Sequence, residues 1–212
     1  NEHIYIGDIG NNSGNRKDLK IYKIKKQDYL NNNSVSSEVI LFSYKDQTDF
    51  SVRVNNHNFD SEAISIVNDK IVLFTKNWEN LKTNVYEIPK TAGEYDVPKL
   101  ETYNTNCLIT GSTYNIKNNY FLLTGYDRLL NPSLIFLDCN NLEKTIKKID
   151  LKNLIGQGSQ IEAIGSYDNE KYYITREKTS TTINNNTITI PSSLFSFNFI
   201  FCEISTIKNC NT

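Results

Sequence analysis

Residues 62–76 read EAISIVNDKIVLFTK, and residues 162–176 read EAIGSYDNEKYYITR. Aligned without a gap, Glu62, Ala63, Ile64 and Thr75 fall on Glu162, Ala163, Ile164 and Thr175. Between them, residues 111–125 read GSTYNIKNNYFLLTG, with Gly111 at the Glu position and Thr124 at the Thr position. The chain opens on EHIYIGD, a copy of the second half alone, with Asp8 at the Thr position. Each copy is a strand, a polar turn and a second strand ending in a small polar residue. A small β-sheet unit that recurs about every fifty residues predicts a radial array of sheets, an all-β β-propeller.

Outward from these copies the chain keeps the same grain. Runs of four to seven residues such as LKIYKIK (19–25), EVILFSY (38–44), TNVYEIP (83–89) and SLIFLD (133–138) lie between clusters of Asn, Asp, Gly and Ser. These are strand and turn signals. SLFSFNFIFCEI (193–204) alternates Phe195, Phe197, Phe199 and Phe201, the period-two pattern of a half-buried strand. Residues 141–155 read equally well as a helical turn or as an outer strand. No linker divides the chain, so 1–212 is expected to be one domain. Four blades are expected: one over 1–30 without its innermost strand, then blades near 38–98, 99–150 and 151–204. They would belong to a five- or six-bladed ring that lacks its N-terminal portion, because an open ring leaves strand edges unpaired. Residues 4–8, matching a second strand, would then expose such an edge.

The 212 residues suffice for a sizeable core. With 23 basic and 24 acidic residues, the chain offers no global attraction to nucleic acid or to an anionic membrane. No apolar run is long enough to span a bilayer. There is no Met, and the chain starts almost inside a strand, so it reads as a piece of a longer protein. The four cysteines, Cys107, Cys139, Cys202 and Cys210, show no metal-knuckle or redox spacing. A Cys202–Cys210 bridge and separate buried thiols both remain open.

Several side chains are candidates for a site at the strand ends. Glu62 and Glu162 start innermost strands near the channel mouth. With Asp8 they form the one carboxylate set that could converge on a hard cation such as calcium, which takes about 6–8 oxygen ligands. The alternative is structural: each Glu caps exposed amides of the neighbouring innermost strand, or Glu62 pairs with Lys76 and Glu162 with Arg176, holding the ring. DIGNNSGNR (8–16) is only loosely like a calcium loop; its Gly and Asn residues suit a tight turn, from which Arg16 could reach back to a carboxylate. Trp78, just past Lys76, could stack on a sugar or peptide, or seal the junction between two blades. His3 and His57 are the only histidines, which excludes a multi-His zinc site within these residues. No Gly-x-Ser-x-Gly elbow, dinucleotide fingerprint or phosphate loop occurs.

YIGDIGNNSGNRKDLKIYKI, FSYKDQTDF, FDSEAI, LFTKNWENLKTNVYEIPKTAGEY, LITGSTY and LLTGYD together resemble a family of exported β-propeller proteins of Bacteroidetes. That family is similar at a distance to NHL, SMP-30-like and esterase-like phytase propellers, and often sits beside a type IX secretion sorting domain. The resemblance implies a secreted or outer-membrane-associated protein. The expected function is a non-enzymatic binding or scaffold module. Its partner would be a protein or glycan at the propeller face, or a neighbouring chain over the N-terminal edge. The alternative is a calcium-dependent hydrolase like those phytases or lactonases, with the cation on Asp8, Glu62 and Glu162.

Overall fold

The computed structural model describes residues 2–139, 146–183, 186–200 and 203–210. The chain begins with β1 (His3–Asp8) and β2 (Lys20–Lys25), then one exposed turn of helix, α1 (Lys26–Asn31), then β3 (Glu38–Tyr44). A second group follows: β4 (Ser61–Val67), β5 (Lys70–Thr75), β6 (Thr83–Pro89), β7 (Gly93–Val97) and β8 (Lys99–Tyr103). A third comprises β9 (Leu108–Asn115), β10 (Tyr120–Tyr126), β11 (Pro132–Asp138) and β12 (Ile146–Asp150). After a short helical turn, α2 (Lys152–Ile155), come β13 (Ile161–Ser166), β14 (Lys171–Arg176), the hairpin β15 (Thr179–Ile183) and β16 (Asn186–Ile190), and finally β17 (Ser193–Ile200) and β18 (Glu203–Asn209).

The fold is all-β and propeller-like. Four four-stranded sheets have the orders β1-β2-β3-β7, β4-β5-β6-β8, β9-β10-β11-β12 and β13-β14-β17-β18. All pairings within them are antiparallel except β3 with β7, which is parallel. The expected blade boundaries are corrected here. The segment 38–44 forms β3 in the first sheet rather than opening the second, and β7 crosses back to pair with it. Residues 99–103 close the second sheet as β8 rather than opening the third. Polar alternation at 93–103 gave no sign of that exchange. Of the segment 141–155, Ile146–Asp150 is an outer strand and Lys152–Ile155 a helical turn, while 141–145 lie outside the described residues. β1 pairs only with β2, so its other edge is open among the described residues.

Each sheet is apolar on the faces that meet its neighbours, and three core clusters fill the three gaps. Ile21, Ile40 and Phe42 of the first sheet meet Ile71, Leu73, Tyr86 and Ile88 of the second. Val72, Phe74 and Val85 meet Ile109, Leu123 and Ile135 of the third. Leu122, Leu134 and Phe136 meet Ile164, Tyr172, Ile174, Phe195 and Phe197 of the fourth. Alternate residues of β5 therefore serve two different cores, as the two-residue period of a strand requires. Each of these side chains contributes about 1.5–3 kcal/mol on full burial.

The innermost strands β4, β9 and β13 lie side by side. Ser65 of β4 and Ser112 of β9 share a 2.8 Å hydrogen bond. A Cβ on Gly111 would fall 3.0 Å from both the Ala163 Cα and the Ile164 nitrogen, so glycine is what lets β9 approach β13. The turns that join first to second strands hold Asn68, Asn119 and Asn169 at positive φ (51°, 53° and 64°). Asn tolerates that conformation better than other side chains, which gives part of the Asn-rich composition a structural cause.

Candidate functional site

The repeated EA motif lies on β-bulges. In the second sheet Ser61 faces Thr75 and Ala63 faces Phe74, leaving Glu62 unpaired. In the fourth, Ile161 faces Arg176 and Ala163 faces Thr175, leaving Glu162 unpaired. In the third, Ile109 faces Gly125 and Gly111 faces Thr124, leaving Thr110. A bulge turns the skipped side chain out of the ladder, and next to functional sites it serves to aim that side chain. Thr110, not Gly111, is thus the counterpart of the two glutamates, and its hydroxyl donates to the Ile161 carbonyl beside Glu162.

This register also corrects the expectation that Thr75, Thr124 and Thr175 are equivalent. All three lie on second strands, but Thr124 and Thr175 match Phe74, and Thr75 matches Gly125 and Arg176. Val67 faces Lys70 across a two-residue turn, whereas Ser166 faces Tyr172 across five. The hairpin from Ala63 to Phe74 is one residue shorter than that from Ala163 to Thr175. One residue of slip turns every side chain to the opposite face. Backbone bonds agree: Lys76 N–H donates to the Asp60 carbonyl at 2.8 Å, and Glu177 N–H to the Gln160 carbonyl at 2.9 Å. Lys76, Tyr126 and Glu177 are therefore the three equivalent residues.

Together these positions build a charged cluster from three sheets. Lys76 Nζ donates to Glu62 Oε1 at 2.8 Å, and the Lys76 side chain is only 4% exposed against 30% for Glu62. The ammonium lies 4.9 Å from the Trp78 ring centre and 5.4 Å from that of Tyr126. Burial pulls the Lys76 ammonium down, but Glu62 and Tyr126 outweigh it and hold its pKa above the usual value. Burial raises the Tyr126 phenol, partly offset by Lys76.

Glu162 has a different environment. Its Oε1 is buried and accepts no hydrogen bond. Burial, and next the charge of Glu62, push its carboxyl up to about 7, against smaller opposing effects of Lys76 and Gln160. A carboxyl poised near neutrality beside a second carboxylate can hold or release a proton at working pH.

The other candidates fall as follows. Arg176 does not pair with Glu162, which corrects that expectation: its guanidinium donates to the Ile155 carbonyl at 2.8 Å and to the Ser193 hydroxyl at 2.9 Å. Arg16 reaches Asp8 at 2.7 Å and Asp18 at 2.9 Å, and its hydrogen bond holds the Asp8 carboxyl below the usual range. The 8–16 loop is a turn, with Gly14 at φ 74° and its N–H on the Asn11 carbonyl at 2.8 Å. Trp78 is half-buried, and its indole N–H donates to Asp60 Oδ2 at 2.8 Å. Asp60 Oδ1 accepts from the Asn11 and Ser61 amides, so this fully buried carboxylate ties the first sheet to the second.

Asp8, Glu62 and Glu162 do not converge: among the described residues no three His, Cys, Asp or Glu side chains stand close enough to hold a metal ion. Asp8 is engaged by Arg16 and by Lys20, and Glu62 by Lys76, so the cationic charge each carboxylate needs is supplied by side chains. Among the described residues these three carboxylates therefore do not form one calcium cage. Cys107, Cys139 and Cys210 are free thiols, and Cys202 lies outside the described residues. Sequence reasoning missed Asp60, Tyr126, Gln160 and Glu177. The polar residue two before each EA, Asp60 and Gln160, was a visible signal.

No protein-family model matches the chain, and no curated protein matches it in sequence. It is similar in structure to the exo-β-1,3-galactanase of Phanerochaete chrysosporium solved with β-1,3-galactotriose. The TM-score is 0.57 at 15% identity, over 99% of this chain and 48% of that one. The chain spans about half the length of that enzyme. The likeness conveys the fold. It also bears against the expectation of a non-enzymatic binding or scaffold module, which rested on loop-rich sheet ends and the absence of a nucleophile motif: the solved structure that shares this arrangement of sheets is an enzyme. The phytase-like or lactonase-like hydrolase is a hydrolase of another kind.

Proposed function

We propose that the chain carries the acid–base site of a glycoside hydrolase. Glu162 donates a proton to the oxygen that leaves when the glycosidic C–O bond breaks. Glu62 is the second carboxylate: either it accepts the proton of the water that adds to the sugar carbon, or it adds to that carbon itself to form a glycosyl ester, which water then cleaves while the Glu162 carboxylate takes the water's proton. Two carboxyl groups in unlike environments are what this reaction needs. The observation that carries the reading is the orphaned, buried Glu162 Oε1 on a carboxyl pushed to about 7. A general acid must be protonated near the operating pH, and burial beside Glu62 achieves that. Lys76 fixes Glu62 in position, and the half-buried Trp78 ring beside it is a surface on which a sugar could stack.

Release of galactose from β-1,3-galactotriose, and of nitrophenol from nitrophenyl glycosides, tests the reading by chromatography and absorbance. Glu162→Gln is expected to lower turnover by about 10²–10⁴, with the melting temperature at pH 7 at or slightly above that of the unsubstituted protein. Turnover that survives Glu162→Gln, or no release from any of these substrates, would overturn it. We infer as well that the four sheets are part of a five- or six-bladed ring. The open edge of β1 and the greater length of the galactanase support this. Rapid exchange of the outward β1 amides in the full-length protein would exclude it.

A further inference from the structure

At the same end of the second sheet, outward from Trp78, is a cavity of about 260 Å³. Its wall is made where the chain leaves β3, enters β4, turns from β5 to β6 and runs along β8. A volume of this size is near the lower limit for a small-ligand site and suits one sugar-sized group.

The hydrogen-bonding inventory of the wall is unbalanced. Its two carboxylates are already engaged: Asp46 accepts from the Tyr86 hydroxyl at 2.9 Å and pairs with Lys99 at 3.2 Å, and Glu79 accepts from Asn58 at 2.8 Å. His57 is also engaged. Its Nδ1 accepts the Phe59 N–H at 3.1 Å, which places the proton on Nε2, and Nε2 donates to the Asn12 carbonyl at 3.2 Å. Donors are left over. Arg53 Nε is buried and has no acceptor. Among the described residues the Arg53 guanidinium has one ion-pair partner, Asp49, through Nη2 at a loose 3.5 Å. Lys82 lines the cavity without an ion-pair partner among the described residues. Arg53, whose side chain is 34% exposed, and Lys82 both line the cavity, and a ligand that supplies acceptors to their donors is favoured there.

We propose that this cavity binds the carboxylate of a uronic acid residue, so that the glycan acted on is acidic. The assignment of a glycan rests on the hydrolase reading above. The surplus of cationic donors at the cavity does not. Arg53 offers a planar donor fork suited to a carboxylate, and Lys82 a point charge. Phe59 supplies an apolar wall for the sugar ring. Trp78 links the two places: its indole holds Asp60, which directly follows the cavity residues Asn58 and Phe59, and Glu79 and Asn80 of the wall directly follow Trp78.

Isothermal titration calorimetry with D-galacturonate, D-galactose and inorganic sulfate tests this on the whole chain. Galacturonate is expected to bind at least about tenfold more tightly than galactose, the effect of one charge-assisted bond. Lys82→Met and Arg53→Gln should each weaken galacturonate by about tenfold or more, and Glu162→Gln should leave it unchanged. Lys82 is at the surface, so its replacement keeps the test valid if Arg53→Gln fails to fold. Equal binding of galacturonate and galactose, no binding of either, or indifference to Lys82→Met would overturn the proposal. Sulfate bound as tightly as galacturonate would reduce the site to a bare anion hole. Galacturonate lost on Glu162→Gln would place it at the carboxylate pair instead. If turnover proves absent while uronate binding behaves as expected, the hydrolase reading fails and this site stands.

Discussion

Glu62 and Glu162 begin from the same three residues, Glu-Ala-Ile, on the same kind of bulge in two sheets of one fold, and they end in opposite states. Glu62 meets an ammonium that is 4% exposed at 2.8 Å. Glu162 meets no donor at Oε1, and its nearest equivalent of Lys76 is another acid, Glu177. The cause is a single extra residue in the β13–β14 hairpin. It moves Arg176 onto the Thr75 position, where it binds the Ile155 carbonyl and the Ser193 hydroxyl. It moves Glu177 onto the Lys76 position. The comparison teaches that a repeat fixes where a side chain starts, while turn length decides what it meets.

Removing the ammonium is the strongest way to disturb this difference. Lys76→Met should cost about 1–3 kcal/mol, the range for losing a bond to a charged group, and the lower part of that range suits a partner as exposed as Glu62. Because Lys76 opposes the rise at Glu162, the same variant should move the Glu162 titration above 7. Thermal denaturation and carboxyl-carbon NMR would measure both effects. An unmoved titration would separate the two carboxylates.

A sharper test rebuilds the second sheet's arrangement in the fourth. Glu177→Lys places a cation where Lys76 has its equivalent, and Glu162 should titrate lower by about one pH unit, as expected for a partly exposed pair. The high-pH limit of activity would fall with it, because the protonated acid is lost earlier. A titration left at about 7 would show that the register equivalence has no electrostatic consequence.

Arg176→Gln is the control for the sequence alignment. It should lower stability by about 1 kcal/mol through its lost bonds to Ile155, Ser159 and Ser193. It should leave the Glu162 titration in place. A rise of that titration would restore the Arg176–Glu162 pairing that the alignment had implied.

The smallest effect concerns stability against pH. The folded Glu162 carboxyl titrates at about 7, above the 4.5 of an ordinary glutamate. The folded state therefore binds more protons between those values, and stability falls as pH rises from about 4.5 to about 7, then levels off. Glu162→Gln removes that loss. It should match the unsubstituted protein below pH 4.5 and exceed it above pH 7, by about 1 kcal/mol or less after solvent screening. Urea denaturation at pH 4 and pH 8 reads the difference, and a variant less stable at pH 8 would reverse the sign.

Much of the strand inventory was legible, because strand period, turn residues and repeat spacing are local properties. The runs 38–44 and 83–89 coincide with β3 and β6 at both ends. α1 was not legible, since its six residues bury nothing and carry no apolar period. Nor was the exchange of β7 into the first sheet, because a parallel pairing is settled by partners distant in sequence. At the site, Glu62, Lys76, Trp78 and Glu162 were named from the sequence, and the Lys76–Glu62 bond is present. Tyr126 and Glu177 were missed because an ungapped alignment absorbs a one-residue difference in turn length without a trace.

By itself, the sequence determined an all-β chain of repeated sheets and marked the two glutamates that start innermost strands. Those are consequences of local alternation and of recurrence along the chain. Only the tertiary structure decided which strands share a sheet, which second-strand residue faces each glutamate, and which carboxyl has an oxygen buried without a hydrogen bond. Those outcomes depend on register and burial. Moving a strand by one residue exchanges its two faces, and the desolvation of Glu162 arises from three sheets that meet only when the chain is folded.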